Sequence, residues 1–170
     1  HDRATYGLQS GPQGYRPLRD FIAGALHARA GIECAADDIL ITSGSQQAVN
    51  LLARVLLDPG DVVIVEAPTY PGTVHSLRNA GARFATVPCD AEGMQVERLP
   101  AIVRDVERLT GARPKLIYSV PDFSNPSGSC LSLERRQRLI DGRNRDQLDR
   151  LSGCRERVFV VPGRDQHPGG

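Results

Sequence analysis

The chain has 170 residues, 40% of them apolar and 24% charged, and a net charge of +1. That length is enough for one domain with a packed core, and the composition is that of an ordinary globular protein. The near-neutral charge excludes electrostatic capture of nucleic acid or of an acidic membrane, and no apolar run approaches the ~20 residues of a membrane-spanning helix.

In chain order, Pro17 to Ala30 reads as a helix. Pro17 suits a first helical position, and Leu18, Phe21, Ile22, Ala25 and Leu26 fall on one apolar stripe. Gly31 stops it. Asp37-Asp38 leads into Ile39–Thr42, read as a short apolar strand. Ser43-Gly44-Ser45 is a turn, Gln46 to Leu57 the next helix, and Asp58-Pro59-Gly60 its break. Val62–Val65 is a continuous β-branched run, as in a strand covered on both faces. Pro71 to Ala80 forms a further helix closed by Gly81, and Arg83–Val87 a further strand. A loop at Asp90–Gly93 precedes a helix from about Gln95 to Leu109, which Pro100 disturbs or starts. Leu116–Val120 is the next strand. Ser132 caps a helix through about Ile140, with Arg135, Arg136 and Arg138 on its wet face.

Strands alternating with helices predict an α/β fold: three layers, a mainly parallel sheet with helices on both faces. Beyond Ile140 the periodicity is lost, although Val158–Val161 has the make-up of a strand. Residues 141–170 therefore read as an atypical, frameshifted or disordered tail on a domain covering 1–140. The chain begins without Met, and His1-Asp2-Arg3-Ala4 runs straight into a motif, so it reads as cut at its front. No signal peptide opens it. Cys34, Cys89, Cys130 and Cys154 form no C-x-x-C pair, and the four histidines complete no metal spacing. They are read as reduced thiols of a cytoplasmic protein without a metal.

Three loops carry the chemistry. Ser43-Gly44-Ser45-Gln46-Gln47 joins a predicted strand to a helix, and the first helical amides with the helix dipole favour a phosphate. Taken alone it is also what a plain serine N-cap looks like. Pro68-Thr69-Tyr70-Pro71-Gly72 holds a tyrosine stiffly in a polar turn, where its ring can stack on a π-deficient heterocycle or simply pack over the turn. Pro121-Asp122-Phe123-Ser124-Asn125-Pro126-Ser127-Gly128 presents in Asn125 a donor that cannot ionise, suited to a phenolate oxygen, or is an Asn-Pro turn and nothing more. Each follows a predicted parallel strand, so the three are expected to converge on one crevice.

These segments, together with "GPQGYRPLRDFIA", "AGARFATVPCDAEGM" and "PKLIYSVPDFSNPSG", resemble the fold-type-I pyridoxal-phosphate enzymes. The resemblance is to class I/II aminotransferases, in the branch of the 2-aminoadipate and kynurenine aminotransferases. It extends to the aminotransferase-like domain of MocR-type regulators. It covers about residues 5 to 140 and implies part of the family's large, cofactor-binding domain. By position it implies that Gly44, Ser45 and Gln46 cradle the phosphate of pyridoxal 5'-phosphate. Tyr70 would stack on the pyridine ring and Asn125 would bond its phenolic oxygen. The family's N-terminal tyrosine, which reaches the neighbouring subunit's cofactor, has a nearby candidate in Tyr6, although alignment from Gly14 puts that slot at Gln9.

The family also needs a Schiff-base lysine and a carboxylate on the pyridine nitrogen. The sequence has neither at the matching positions. Asp165 lies in a context that does not match, and Lys115, the single lysine, opens the strand whose far end leads to Asn125. The chain therefore reads as a fragment of a transaminase, inactive alone, with no catalytic residue of its own. The parent is expected to be a homodimer acting on an amino acid and a 2-oxo acid, with no nucleic acid bound by this segment and no membrane. The second reading is the effector domain of a MocR-type regulator, cut from a DNA-reading domain. A third, an α/β module for some other phosphate ligand, has against it the lack of G-x-x-x-x-G-K and of G-x-G-x-x-G after a strand.

Overall fold

The computed structural model describes residues 11–141 and 157–160. The chain divides into two compact units, His1–Ala48 and Val49–Gly170.

The first unit is built round helix α1, Arg16–Ala30, a single 3-10 turn at Ala36–Asp38, and the opening of helix α2, Ser45–Leu56. The apolar stripe predicted for α1 is not what the helix buries. Leu18 and Phe21 are exposed, whereas Arg19 is only 3% exposed. Its guanidinium donates to the carbonyls of Gly14 at 3.1 Å and Ala36 at 2.7 Å and pairs with Asp37 at 3.3 Å. A buried charge needs such partners, and main-chain carbonyls from two segments supply them. Ile39–Thr42, predicted as a strand, belongs to no sheet. Its Ile39 N–H turns back to the Ala36 carbonyl at 3.3 Å, and its Ile41 N–H donates to the Gln13 carbonyl at 2.9 Å. That contact brings the chain so close at Gly14 (φ +96°) that an added Cβ would sit 2.8 Å from the Ile41 Cβ, so glycine is required there on both counts.

The second unit holds a five-stranded sheet. Its strands are β1 (Val62–Ala67), β2 (Arg83–Asp90), β3 (Gly93–Met94), β4 (Leu116–Ser119) and β5 (Arg157–Val160), in the order β3-β2-β1-β4-β5. The pairs β1–β2, β1–β4 and β4–β5 are parallel. Only β3 is antiparallel, where the predicted loop at Asp90–Gly93 is a tight hairpin pairing Cys89 with Met94.

Strand alternation divides the core. Val63 and Val65 of β1 and Leu116 and Tyr118 of β4 face Val49, Ala53 and Leu57 from α2 and its end, and Leu77 of helix α3 (Pro71–Asn79). Ile64 and Ile117 face the other way, onto Val87, Met94 and Leu131. Leu99 and Val103 of helix α4 (Leu99–Thr110) and Leu139 of helix α5 (Leu133–Asp141) complete that side. The result is the three-layer α/β architecture read from the sequence. Pro100 starts α4 rather than breaking it, following a 3-10 turn at Val96–Arg98.

Two arginines of α5 placed on the wet face by periodicity are instead folded inward. Arg135 bonds Asp90 at 2.6 Å, Glu97 at 3.2 Å and the Gly93 carbonyl at 3.2 Å. Arg136 pairs with Asp122 and donates to the carbonyls of Leu131 and Pro121 at 2.8 and 2.9 Å. Only Arg138 stays outside, paired with Glu134 one turn away.

Candidate functional site

In the first unit, the turn before α2 is closed by its own side chains. The Thr42 hydroxyl donates to the Gly44 carbonyl at 3.2 Å, and the Ser43 N–H donates to the Gln47 side chain. Gly44 has φ +92° and open space where a Cβ would stand, so backbone conformation rather than crowding calls for glycine. The first intrahelical bond of α2 runs from the Ala48 N–H to the Gly44 carbonyl. The amides ahead of it lie at the positive end of the helix dipole. Gly44, Ser45 and Gln46 are all exposed. Main-chain donors, a hydroxyl and a positive dipole form a donor set that fits a phosphate. The segment leading into this loop is extended chain rather than a sheet strand, so only two of the three chemical loops follow strands of the sheet.

Those two lie in the second unit. From β1 the chain passes through α3 to β2 on one side, and later through α4 to β4 on the other. The direction of strand addition thus reverses between β1 and β4, and in open α/β sheets ligands sit beyond the carboxyl ends of the strands at such a switch point. The loop leaving β1 carries Tyr70 and the loop leaving β4 carries Asn125. Tyr70 is 42% exposed although it immediately precedes α3. Beside it the Thr69 hydroxyl is enclosed, with no hydrogen-bond partner among the described residues. Asn125 is exposed, and so is Phe123, which is held at φ +48°. An open phenol ring, a neutral amide and an unpartnered hydroxyl fit a flat heteroaromatic guest with polar substituents.

The residue that joins these two loops is Glu66, to which sequence reasoning gave no role. It is 2% exposed at the end of β1. Its carboxylate accepts from the Ser119 hydroxyl at 2.6 Å, the Val120 N–H at 3.2 Å and the Ser124 hydroxyl at 3.1 Å. Burial pushes its pKa above the usual carboxylate range, and these three donors pull it partly back. The available signal was a single acid ending an otherwise β-branched run. Its partners lie more than fifty residues further on, which no local pattern reveals.

The loop after β4 is braced further. The Leu131 N–H donates to the Pro121 carbonyl at 2.7 Å and the Ser124 N–H to the Ser129 carbonyl at 2.9 Å. Arg136 clasps Pro121 and Asp122 from α5. Lys115 is exposed just before β4, its N–H bonded to the Val62 carbonyl at 2.8 Å. In a parallel pair this is the end of the sheet opposite Tyr70 and Asn125. Tyr6, Gln9 and Asp165 lie outside the described residues, as does most of the predicted tail. Cys34, Cys89 and Cys130 are free thiols. Among the described residues no helix is long and apolar enough to cross a membrane.

The family profile "Aminotransferase class I and II" matches residues 2–146. The chain is 38% identical over 139 residues to aromatic-amino-acid aminotransferase 1 of Thermococcus litoralis, covering 81% of this chain and 33% of that protein. It is 34% identical over 127 residues to the probable rhizopine catabolism regulatory protein MocR of Rhizobium meliloti, covering 75% of this chain and 24% of that one. Among solved structures, it resembles Pyrococcus horikoshii kynurenine aminotransferase, crystallised with PMP. There the TM-score is 0.76 at 37% identity, covering 95% of this chain and 37% of the other. The chain thus spans about a third or less of the curated relatives named here. With the three-layer fold and the two loops at the sheet's switch point, the match over most of its length shows that this chain belongs to the class I and II aminotransferases.

Proposed function

We propose that the parent of this segment is a pyridoxal-5'-phosphate-dependent transaminase, a homodimer of the cytoplasm. It would move an amino group between an amino acid and a 2-oxo acid. In this reading residues 1–140 supply part of its large, cofactor-binding domain. The observation that carries the proposal is the family match over residues 2–146, to which the exposed Tyr70 and Asn125 on neighbouring strand ends add support.

When bound, the cofactor's ring withdraws electrons from the substrate's α-carbon. This chain's part is to hold it. The amides at Gly44–Gln46 and the Ser45 hydroxyl would donate to the phosphate, at the positive end of α2. Tyr70 would offer its ring face to the pyridine. Asn125 would donate from a group that keeps its proton at every working pH, so the ring oxygen can remain an acceptor. Nothing in this set transfers a proton, so the chain alone is a binder.

The test is titration of the 170-residue chain with pyridoxal phosphate, followed by the circular dichroism induced in the cofactor's absorption band. Saturable binding is expected. Ser45→Ala, Tyr70→Ala and Asn125→Ala should each weaken it by roughly three- to thirtyfold, the scale of one hydrogen bond or one ring contact. Borohydride treatment should leave no adduct on Lys115. Binding of nucleotides in preference to pyridoxal phosphate would refute the reading.

The similarity to MocR supports a second reading, an effector domain of a regulator that senses the same cofactor or an amino compound. Sequence upstream of His1 in the parent gene separates the two. A winged helix there marks a regulator, and a short arm an enzyme.

A further inference from the structure

Glu66 lies too deep to touch a guest at the strand ends, yet each of its bonds reaches the segment that carries Asn125. Its Oε1 accepts from Ser119 and from the Val120 N–H, and its Oε2 from Ser124, the residue immediately before Asn125. On its own strand it stands one residue before the last, Ala67, after which the chain turns toward Tyr70. One carboxylate therefore has its two oxygens divided. One is spent on the end of β4, and the other on the first half of the following loop.

Ser124 is itself 3% exposed, while Asn125, Pro126 and Ser127 beyond it are exposed. The loop thus has a fixed inner point and an open rim: Ser124 bonds Ser129 and Gly128 through its backbone and Glu66 through its hydroxyl. Arg136 and the Leu131–Pro121 bond close the base of the loop. The bonds of Ser124 to Ser129 and Gly128 stay within the loop, so its hydroxyl is what ties this point to β1.

We propose that Glu66 is a positioning residue for cofactor binding: through Ser124 it sets where the Asn125 amide stands relative to the β1 loop that carries Tyr70. This rests on the cofactor reading above. The carboxylate does not touch the cofactor. It acts by removing the freedom of the loop, so that Asn125 meets its acceptor without an ordering cost at the moment of binding. A carboxylate suits the task because it accepts from three donors at once. A glutamine could keep a bond here only by reversing it, with its amide donating to the Ser124 hydroxyl.

The experiment is a double-mutant cycle on pyridoxal phosphate affinity in the 170-residue chain. Ser124→Ala cuts the link while leaving Glu66 its bonds to Ser119 and Val120. It is expected to weaken binding about three- to tenfold, and Ser124→Thr, which keeps the hydroxyl, to restore it. In an Asn125→Ala background, Ser124→Ala should cost less than about twofold, because the group it positions is gone. In a Tyr70→Ala background the full loss should persist. Glu66→Ala, which removes the acceptor, should follow the same pattern. Hydrogen exchange without cofactor shows the variants folded when the amides of Ile64 and Val65 keep their protection while that of Ser124 falls. Equal losses in the wild-type and Asn125→Ala backgrounds would overturn the positioning role and leave the cofactor reading standing. A wild-type chain with no saturable binding would overturn both.

Discussion

Asp90 shows how much a partly exposed side chain gains from one well-placed partner. Arg135 bonds both its carboxylate oxygens, at 2.6 and 2.8 Å, and holds its pKa down from 3.8 to about 2. A carboxyl with a depressed folded pKa stabilises the fold above its unfolded value, and that contribution is lost as pH falls through the folded one. The chain should therefore lose stability between about pH 4 and pH 2. Asp90→Asn should flatten that limb, as read from thermal melts over the window. Glu66 has the opposite sign. Its raised pKa contributes stability below the ordinary value of 4.5 that is lost as pH rises through the folded value. At this scale legibility followed distance along the chain. Tyr70 and Asn125 stand in Pro- and Gly-rich turns, and that turn chemistry is local. Arg19 and Glu66 were given no role and Arg135 was placed on a wet face, because what distinguishes each is a partner seventeen to fifty-eight residues away. A buried arginine and an exposed one look alike in a helical period.

Among the elements, the sequence was read best where both ends of a segment carried a stop. Helix α1 has Pro17 in its first turn and Gly31 after its end, α3 lies between Pro71 and Gly81, and β1, with its β-branched run Val62–Val65, lies between Gly60 and Pro68. The failures were segments whose state is set by pairing. Ile39–Thr42 has strand composition, but its backbone donates to the turn at Ala36 and to the coil at Gln13, and no ladder forms. The hairpin at Asp90–Gly93 was taken for a loop because two paired residues are too few to leave an alternation. The central strand is where a deletion should be felt most. Ile64 is fully enclosed between Val87, Met94 and the helices beyond them. Ile64→Ala should cost about 2–5 kcal/mol, since the site is walled on all sides and has little room to collapse. Chemical denaturation would measure it, with an unchanged m-value expected if the fold survives.

Over the whole molecule, both apolar clusters belong to the second unit. Among the described residues, the first unit shows instead a guanidinium satisfied by carbonyls and a few main-chain bonds. Net hydrogen-bond contributions of about 1 kcal/mol each are small beside buried aliphatic surface. Native-state hydrogen exchange should therefore find the Arg19 and Ile41 amides opening at lower free energy than those of Val63, Ile64 and Val65. Comparable protection in both units would contradict this ranking.

The strand order also bears on how the sheet is assembled in time. Val62 pairs with Arg83, whereas its neighbour Val63 pairs with Leu116, across a stretch of chain more than twice as long. Each doubling of a closed loop costs only about 0.6 kcal/mol in chain entropy, so the penalty is modest, but it falls on the later contact. The β1–β2 half should nucleate first and the Asn125 segment should arrive last. A nascent chain would then carry the Tyr70 turn well before the Asn125 loop takes its place, and the switch-point end of the sheet would be completed only when β4 docks.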